Sequence, residues 1–213
     1  MPRPKVVLFD AMGVLYRYGN VQGRVLIPYL RDHGCRRTEQ EIRAAYRSAT
    51  LGSMTTDRFW SAVGLSREGR DADYCGRHQL NEGVREALAE LGGDGLRLAC
   101  LSNDTAVWSE LVRRRFGLEA PVRRWFVSSD LRARKPDRAA YTTVIEALGV
   151  SPDEMVFVDD RPVNLVPART LGMRTIVFLS DDTEANPVRC DQWQPWSVVR
   201  TMPELVAAVR EFA

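Results

Sequence analysis

The chain has 213 residues, a length that fits one α/β domain with a large insertion or two small domains. Its 30 basic and 28 acidic residues nearly cancel to a formal net charge of +2, which argues against a nucleic-acid surface or a polybasic membrane patch. The apolar run near the N-terminus is too short for a signal peptide or a membrane span, so we expect a cytoplasmic protein acting on a small molecule. The sequence leaves the oligomeric state open.

Strands and helices are predicted to alternate along most of the chain. Apolar segments typical of strands buried on both faces occur at 5–9, 96–101, 125–129, 155–159 and 174–179. Helical patterns occur between and after them, at 81–92, 105–117, 137–150 and 161–173. This alternation predicts a doubly wound α/β fold with a parallel sheet, and such folds bind ligands at the carboxyl ends of their strands.

Residues 17–80 interrupt this alternation, because their apolar residues follow helical spacing only. The helical patterns lie at 25–34, 38–52 and 55–65. We therefore predict a core of residues 1–16 and 81–213, with a small helical cap at 17–80 that lies over the strand ends. The polar segment 180–199 is predicted to be a surface excursion before a last helix at 202–212.

Cysteine and histidine give no sign of a metal site. The four cysteines are far apart without a CxxC pair, which predicts buried thiols: Cys35, Cys75, Cys100 and Cys190. The two histidines, His33 and His78, lie in or near the insertion and are interpreted as structural or surface residues.

Polar side chains follow four of the predicted strands. They are Asp10, then Ser102, Asn103 and Asp104, then Lys135, and finally Asp159 and Asp160. Each alone has an ordinary structural explanation, since such residues cap helices and occupy loops. Because the strands are predicted to be parallel, their ends meet at one edge of the sheet, and together these residues indicate a site.

Four motifs in this order resemble those of the haloacid dehalogenase superfamily, most of whose members are phosphatases. "FDAMGVL" is similar to its nucleophile motif, "LSND" to its Ser/Thr motif, "RKP" to its lysine motif, and "VFVDD" to its acidic motif. The form "DDxxxN…A…LGM" is closest to the branch with glucose-1-phosphate phosphatases and the phosphatase domain of epoxide hydrolases. The resemblance implies a Rossmann-like core, a helical cap, a covalent aspartyl intermediate and a Mg²⁺ ion.

The chemistry of the residues agrees with these implied roles. A carboxylate such as Asp10 can attack a phosphoryl group only if the negative charges are neutralised. Mg²⁺ prefers oxygen ligands, which Asp10, the backbone carbonyl of Met12 and Asp160, with Asp159 beside it, are expected to provide. The substrate is expected to be a small phosphorylated metabolite.

The remaining motif residues are expected to bind the phosphate. Lys135 would hold Asp10 and the phosphate as a compact positive charge, while Ser102 and the amide of Asn103 would bind phosphate oxygens. Only two lysines occur in the chain, Lys5 and Lys135, and the other 28 basic residues are arginines. A lysine kept at this position fits a specific role.

Met12 departs from the family pattern, in which a second Asp two residues after the nucleophile acts as general acid and base. A thioether has no titratable proton, so Met12 can do neither. General acid–base catalysis contributes about 10² to 10⁴ in rate. A phosphatase or phosphotransferase with Met12 is expected to be slow unless another group or the substrate supplies the proton.

Two other functions stay open at this point. A 2-haloacid dehalogenase also lacks the second acid, but its last motif carries Ser and Asn instead of the pair Asp159 and Asp160, which would repel Asp10 without a cation between them. The other is a protein that binds metal and phosphate with little turnover. That protein would differ from a phosphatase only at Met12.

Overall fold

A six-stranded parallel sheet forms the centre of the protein, for which a computed structural model describes residues 2–179 and 195–212. The strands are β1 (Val6–Phe9), β2 (Arg97–Ser102), β3 (Arg124–Val127), β4 (Met155–Asp159), β5 (Arg174–Phe178) and β6 (Ser197–Val199). Their order across the sheet is β3-β2-β1-β4-β5-β6, and every neighbouring pair is parallel. The prediction of a doubly wound α/β fold is confirmed.

Helices cover both faces of the sheet. After the insertion they are α5 (Val84–Gly93), α6 (Ala106–Phe116), α7 (Ser128–Leu131), α8 (Arg138–Leu148), α9 (Pro162–Thr170) and α10 (Met202–Arg210). Val7 and Phe9 of β1 belong to the apolar cluster with α5, α6 and α10, whereas Val6 and Leu8 belong to the cluster with α8 and α9. Successive side chains of a strand point to opposite faces, so an uninterrupted apolar strand is what two covered faces require.

Four helices lie between β1 and β2, in the segment predicted to be helical. They are α1 (Ile27–Asp32), α2 (Glu39–Thr50), α3 (Thr56–Ala62) and α4 (Arg70–Gly76), and a π-helical turn, Gln22–Leu26, precedes α1. The sequence explains the start of α2, because Thr38 and Glu41 form a reciprocal capping box with bonds of 3.2 and 2.7 Å.

The inserted segment leaves and re-enters the core at adjacent points. The backbone N–H of Arg17 donates to the carbonyl of Gln79 at 2.9 Å. The side-chain amide of Asn81 donates to the carbonyl of Val14 at 2.7 Å. These bonds tie the loop after Asp10 to the end of the insertion.

Asp71 of α4 is a polar centre inside an aromatic cluster. Its carboxylate accepts hydrogen bonds from the indole N–H groups of Trp60 and Trp108 and, at 3.0 Å, from the hydroxyl of Thr56. The ring of Trp108, which belongs to α6, also lies 5.0 Å from that of Tyr74. The insertion is thus joined to the core by both apolar packing and a partly buried hydrogen bond.

The structure contains elements that the sequence patterns do not predict. They include helix α4, the π-helical turn before α1 and a 3-10 turn at Pro152–Glu154. Residues 128–129 begin the short helix α7 instead of ending a strand, and β6 forms within the segment predicted to be only a surface excursion. Cys35, Cys75 and Cys100 are buried free thiols as predicted, while Cys190 lies outside the described residues. Among the described residues, no helix has the length and apolar character needed to cross a membrane.

Candidate active site

Lys135 joins two carboxylates at the carboxyl ends of the central strands. Its Nζ lies 2.7 Å from Asp10 Oδ1 and 2.8 Å from Asp159 Oδ2, and all three side chains are almost completely buried. Asp10 directly follows β1, and its backbone N–H donates to the carbonyl of Val158 at 2.8 Å. Asp159 ends β4, the neighbour of β1, so the sheet register sets these two carboxylates side by side.

Asp159 is held by partners on all sides. Its Oδ1 accepts from the backbone N–H of Arg161 at 2.8 Å, and the side-chain amide of Asn164 lies 2.9 and 3.0 Å from its two oxygens. Asn164 lies in the first turn of α9, so helix and strand together fix the carboxylate. Because Lys135 also donates to it, both Asp159 oxygens are fully engaged inside the protein.

Asp160 directly follows Asp159 and lines a cavity. One oxygen from each of Asp10, Asp159 and Asp160 lies within 4.8 Å of the others. The loop after Asp10 passes so close that a Cβ on Gly13 would stand 2.5 Å from Asp160 Oδ2, and Gly13 has a φ of +84°. Glycine is therefore required here both by space and by backbone conformation.

Ser102 and Asn103 approach this cluster from the end of β2. Asn103 holds the backbone of Lys135 through two bonds, from its amide to the Lys135 carbonyl at 2.8 Å and from the Lys135 N–H to its Oδ1 at 2.9 Å. Ser102 Oγ is buried and has no hydrogen-bond partner within the described part of the chain. A buried hydroxyl without a partner fits a site where a ligand oxygen supplies one.

A cavity of about 760 Å³ opens above the acidic cluster. The site residues Asp10, Met12, Asn103, Lys135 and Asp160 line it, together with residues of the insertion that include Gln22, Arg43 and Tyr46. Its size falls in the range of small-molecule pockets. Met12 is only 7% exposed and packs in the main apolar cluster, so its side chain brings an apolar surface to the place where the family pattern has an acid.

The cluster carries more negative than positive charge. Burial raises the pKa of Asp10 to about 7, with Asp159 adding to the increase and Lys135 opposing it. Burial likewise raises the pKa of Asp160 to about 8, again with Asp159 adding to it. Burial disfavours the Lys135 ammonium, but the charges of Asp10 and Asp159 outweigh this and raise its pKa above the ordinary value. Three carboxylates surround a single ammonium, and carboxylate oxygens are hard ligands. This combination fits a divalent cation such as Mg²⁺.

The structure brings all of the predicted site residues to one edge of the sheet. Their location does not establish their chemical roles, which stay predictions. Sequence reasoning missed Asn164 as the partner of Asp159, although "DDxxxN" contained the signal, because an Asn five residues after Asp159 falls on the first turn of the next helix. It also missed two residues on the cavity wall: Tyr46, for which no motif gave a signal, and Arg134, which belongs to the "RKP" motif but was given no role there.

The comparisons with known proteins agree with this geometry. The family model of haloacid dehalogenase-like hydrolases matches residues 4–172. A phosphoglycolate phosphatase of Rhodospirillum rubrum is 27% identical over 82% of this chain and 79% of that protein. A chloroplast flavin mononucleotide hydrolase of Arabidopsis thaliana is 30% identical over 55% of this chain, and the match spans about half of that relative's length, 51%.

Solved structures share the fold at lower identity. A HAD family enzyme of Bacteroides thetaiotaomicron, solved as a complex with magnesium and inorganic phosphate, superposes with a TM-score of 0.73 at 20% identity, over 84% of this chain and 96% of that one. An L-2-haloacid dehalogenase of Xanthobacter autotrophicus superposes with a TM-score of 0.67 at 23% identity, over 99% and 100% of the two chains. Both show the likeness of fold alone.

Proposed function

Because the chain belongs to the haloacid dehalogenase-like hydrolases, we propose that it is a Mg²⁺-dependent phosphatase or phosphotransferase acting on a small phosphorylated substrate. The observation that carries the proposal is the contact of Asp10 with Lys135 beside two further carboxylates, at the mouth of a cavity. The name of the phosphoglycolate phosphatase, which matches over most of both chains, favours the same class of reaction.

Asp10 is the proposed nucleophile. One of its oxygens bonds to Lys135 and to the N–H of Ala11 at 2.6 Å, which keeps the carboxylate in one orientation. Attack on the phosphorus would form an aspartyl phosphate and release the leaving oxygen, and water would then cleave the phosphate from Asp10. Lys135 would offset charge on the phosphate, and Ser102 Oγ would donate its free hydrogen bond to a phosphate oxygen.

Asp10, Asp160 and the carbonyl of Met12 are the proposed Mg²⁺ ligands. When bound there, the ion would supply charge neutralisation for the approach of a carboxylate to a phosphoryl group. We assign direct contact to Asp160 instead of Asp159, because Asp160 faces the cavity whereas both oxygens of Asp159 are already occupied by Lys135, Asn164 and a backbone N–H.

Residues 17–80 are the proposed cap. The bond between Arg17 and Gln79 marks where the chain leaves and re-enters the core, which supports the boundaries. Gln22, Arg43 and Tyr46 line the same cavity as Asp10 and Asp160, so the insertion would supply part of the wall of the substrate site.

A dehalogenase is less well supported than a phosphatase. A haloacetate dehalogenase of a Moraxella species is 34% identical, but over 42% of this chain and 40% of that protein. Three clustered carboxylates within 4.8 Å would repel one another in a metal-free reaction, whereas a cation relieves that repulsion.

Turnover and metal dependence test the proposal. We expect release of inorganic phosphate from a panel of phosphate esters with Mg²⁺ and none with EDTA. Asp160→Asn should abolish the Mg²⁺ response, and Asp153→Asn, which removes an exposed carboxylate outside the cavity, should retain it. Halide release from 2-haloacids in EDTA would favour the dehalogenase. Phosphate and Mg²⁺ binding without turnover of any ester would favour the binding protein.

A further inference from the structure

Two arginines of the cavity wall make no close ion pair within the described part of the chain. Arg134 and Arg161 both line the cavity, and neither forms an ion pair with any carboxylate in the described residues. Arg43, also on the wall, differs because its guanidinium lies 3.0 Å from Glu39. Arginine is common in this chain, so its mere presence means little. Two guanidinium groups on one cavity without a close ion pair do carry information, although Asp137 acts on Arg134 and Arg161 acts on Asp160 through longer-range electrostatics.

Arg134 is set in place by the fold. It precedes Lys135 and is half-buried, and its Nη1 donates to the hydroxyl of Thr50 at the end of α2 at 3.0 Å. Burial lowers the pKa of its guanidinium, and the like charges of Arg47 and Arg161 act in the same direction, whereas Tyr46 and Asp137 oppose this decrease without reversing it. Holding a cation where burial and like charges disfavour it costs free energy, which an anionic ligand would recover.

The charges around Asp10 do not need Arg134, and they use only part of the charge of Arg161. Asp10 and Asp159 are paired with Lys135, the charges of Lys135 and Arg161 both favour the Asp160 carboxylate, and the proposed Mg²⁺ balances the remaining charge. The cavity of about 760 Å³ is also much larger than a single phosphate group needs, so it has room for a substrate arm beyond the scissile bond. Guanidinium groups bind carboxylates and phosphates in a planar, two-pronged manner.

We infer that Arg134 and Arg161 form a second anion-binding subsite, so that the preferred substrates carry a carboxylate or a second phosphate in addition to the phosphate that is removed. This inference rests on the proposed function, because it takes the acidic cluster as the place of the first phosphate. The substrate class is a phosphate ester with two acidic groups.

A binding experiment without turnover tests the subsite. In an Asp10→Asn background with Mg²⁺, calorimetry would compare ethyl phosphate with phosphoglycolate, whose arm ends in a carboxylate, and with ethylene glycol bisphosphate, whose arm ends in a phosphate. We expect Kd for at least one of the two-anion ligands to be roughly 10- to 100-fold lower than for ethyl phosphate, the range for charge-assisted hydrogen bonds. The tighter of the two identifies the second group.

Arginine variants then locate the subsite. Arg134→Gln and Arg161→Gln should each reduce the preference for the two-anion ligand by roughly tenfold. Arg138→Gln, which removes an exposed charge outside the cavity, should keep it. Arg161 is exposed, so its variant tests the idea even if Arg134→Gln fails to fold.

The outcomes separate this inference from the proposed function. Equal Kd values for all three ligands would overturn the subsite while leaving the phosphate site intact. If Arg138→Gln lost as much of the preference for the two-anion ligand as the cavity variants do, the preference would come from the overall positive charge of the protein. That result would also overturn the subsite. Binding of none of the ligands would overturn the proposed function together with the subsite.

Discussion

Met12→Asp tests whether proton transfer is what limits this site. The substitution introduces a carboxyl two residues after Asp10, the proposed nucleophile, where the family pattern has its general acid and base. Met12 is 7% exposed and faces the cavity, so the new carboxyl would be largely desolvated and its pKa would be raised. A raised pKa keeps the proton available for a leaving oxygen near neutral pH.

The expected gain in kcat differs between alkyl and aryl phosphates, because only the alkyl leaving group needs a proton. We expect kcat for ethyl phosphate to rise by roughly 10²-fold, the lower end of the contribution of general acid–base catalysis. The gain should be below about tenfold for p-nitrophenyl phosphate, because its leaving group departs without a proton. Loss of a packed Met side chain would cost about 2–5 kcal/mol of unfolding free energy, and so about 5–15 °C in Tm for a chain of this size.

Met12→Asn is the matched control. Asn has nearly the same volume as Asp and is also polar, but it carries no titratable proton. The ratio of kcat between the two variants therefore separates proton transfer from the cost of repacking. Thermal melts and Mg²⁺ titrations would establish that both variants are folded and bind metal. If Met12→Asp hydrolyses ethyl phosphate no faster than Met12→Asn, Met12 is not the limiting feature, and the reasoning is refuted.

Three further predictions concern Lys135, Gly13 and His78. Lys135→Arg should lose phosphate binding almost as fully as Lys135→Ala. The reason is that a broad guanidinium cannot replace an ammonium held 2.7 and 2.8 Å from two buried carboxylates. Calorimetric Kd values for phosphate equal to those of wild type would contradict this. Gly13→Ala should weaken Mg²⁺ binding and lower Tm, since the added Cβ meets Asp160, whereas Gly64→Ala, which also has positive φ but open space, should lower Tm only. Burial lowers the pKa of His78 from 6.5 to about 4, so the unfolded chain takes up the proton first as pH falls, and stability is lost between about pH 6.5 and 4. The loss amounts to about 3 kcal/mol. Denaturant melts of wild type and His78→Gln should show this difference in pH dependence, and parallel curves would contradict it.

The sequence predicted the central features because they depend on local pattern and on topology. A mostly apolar run such as 5–9, in a chain where strands and helices alternate, predicts a strand buried on both faces, and parallel strands carry the residues that follow them to one edge. Asp10, Lys135 and Asp159 could therefore be placed together without knowledge of any side-chain contact.

The features that were missed depend on long-range packing. Helix α4 has few apolar residues of its own and is stabilised by burying Tyr74 and Cys75 against α6. Strand β6 has three residues and pairs with the edge of β5, an edge that exists only once the sheet is assembled. The orientation of Arg134 into the cavity likewise follows from its bond to Thr50, which is 84 residues away along the chain.

The hydrogen bond between Asp71 and Trp108 has a consequence for how this protein unfolds and for how it could be modified. Trp108 belongs to α6 of the core, and its ring contacts Phe59, Trp60 and Tyr74 of the insertion. Excising residues 17–80 would expose this indole and leave its N–H without Asp71, so the two parts should melt in one cooperative transition. New substrate ranges are therefore more readily reached by changing side chains on the cavity wall than by exchanging the whole inserted segment.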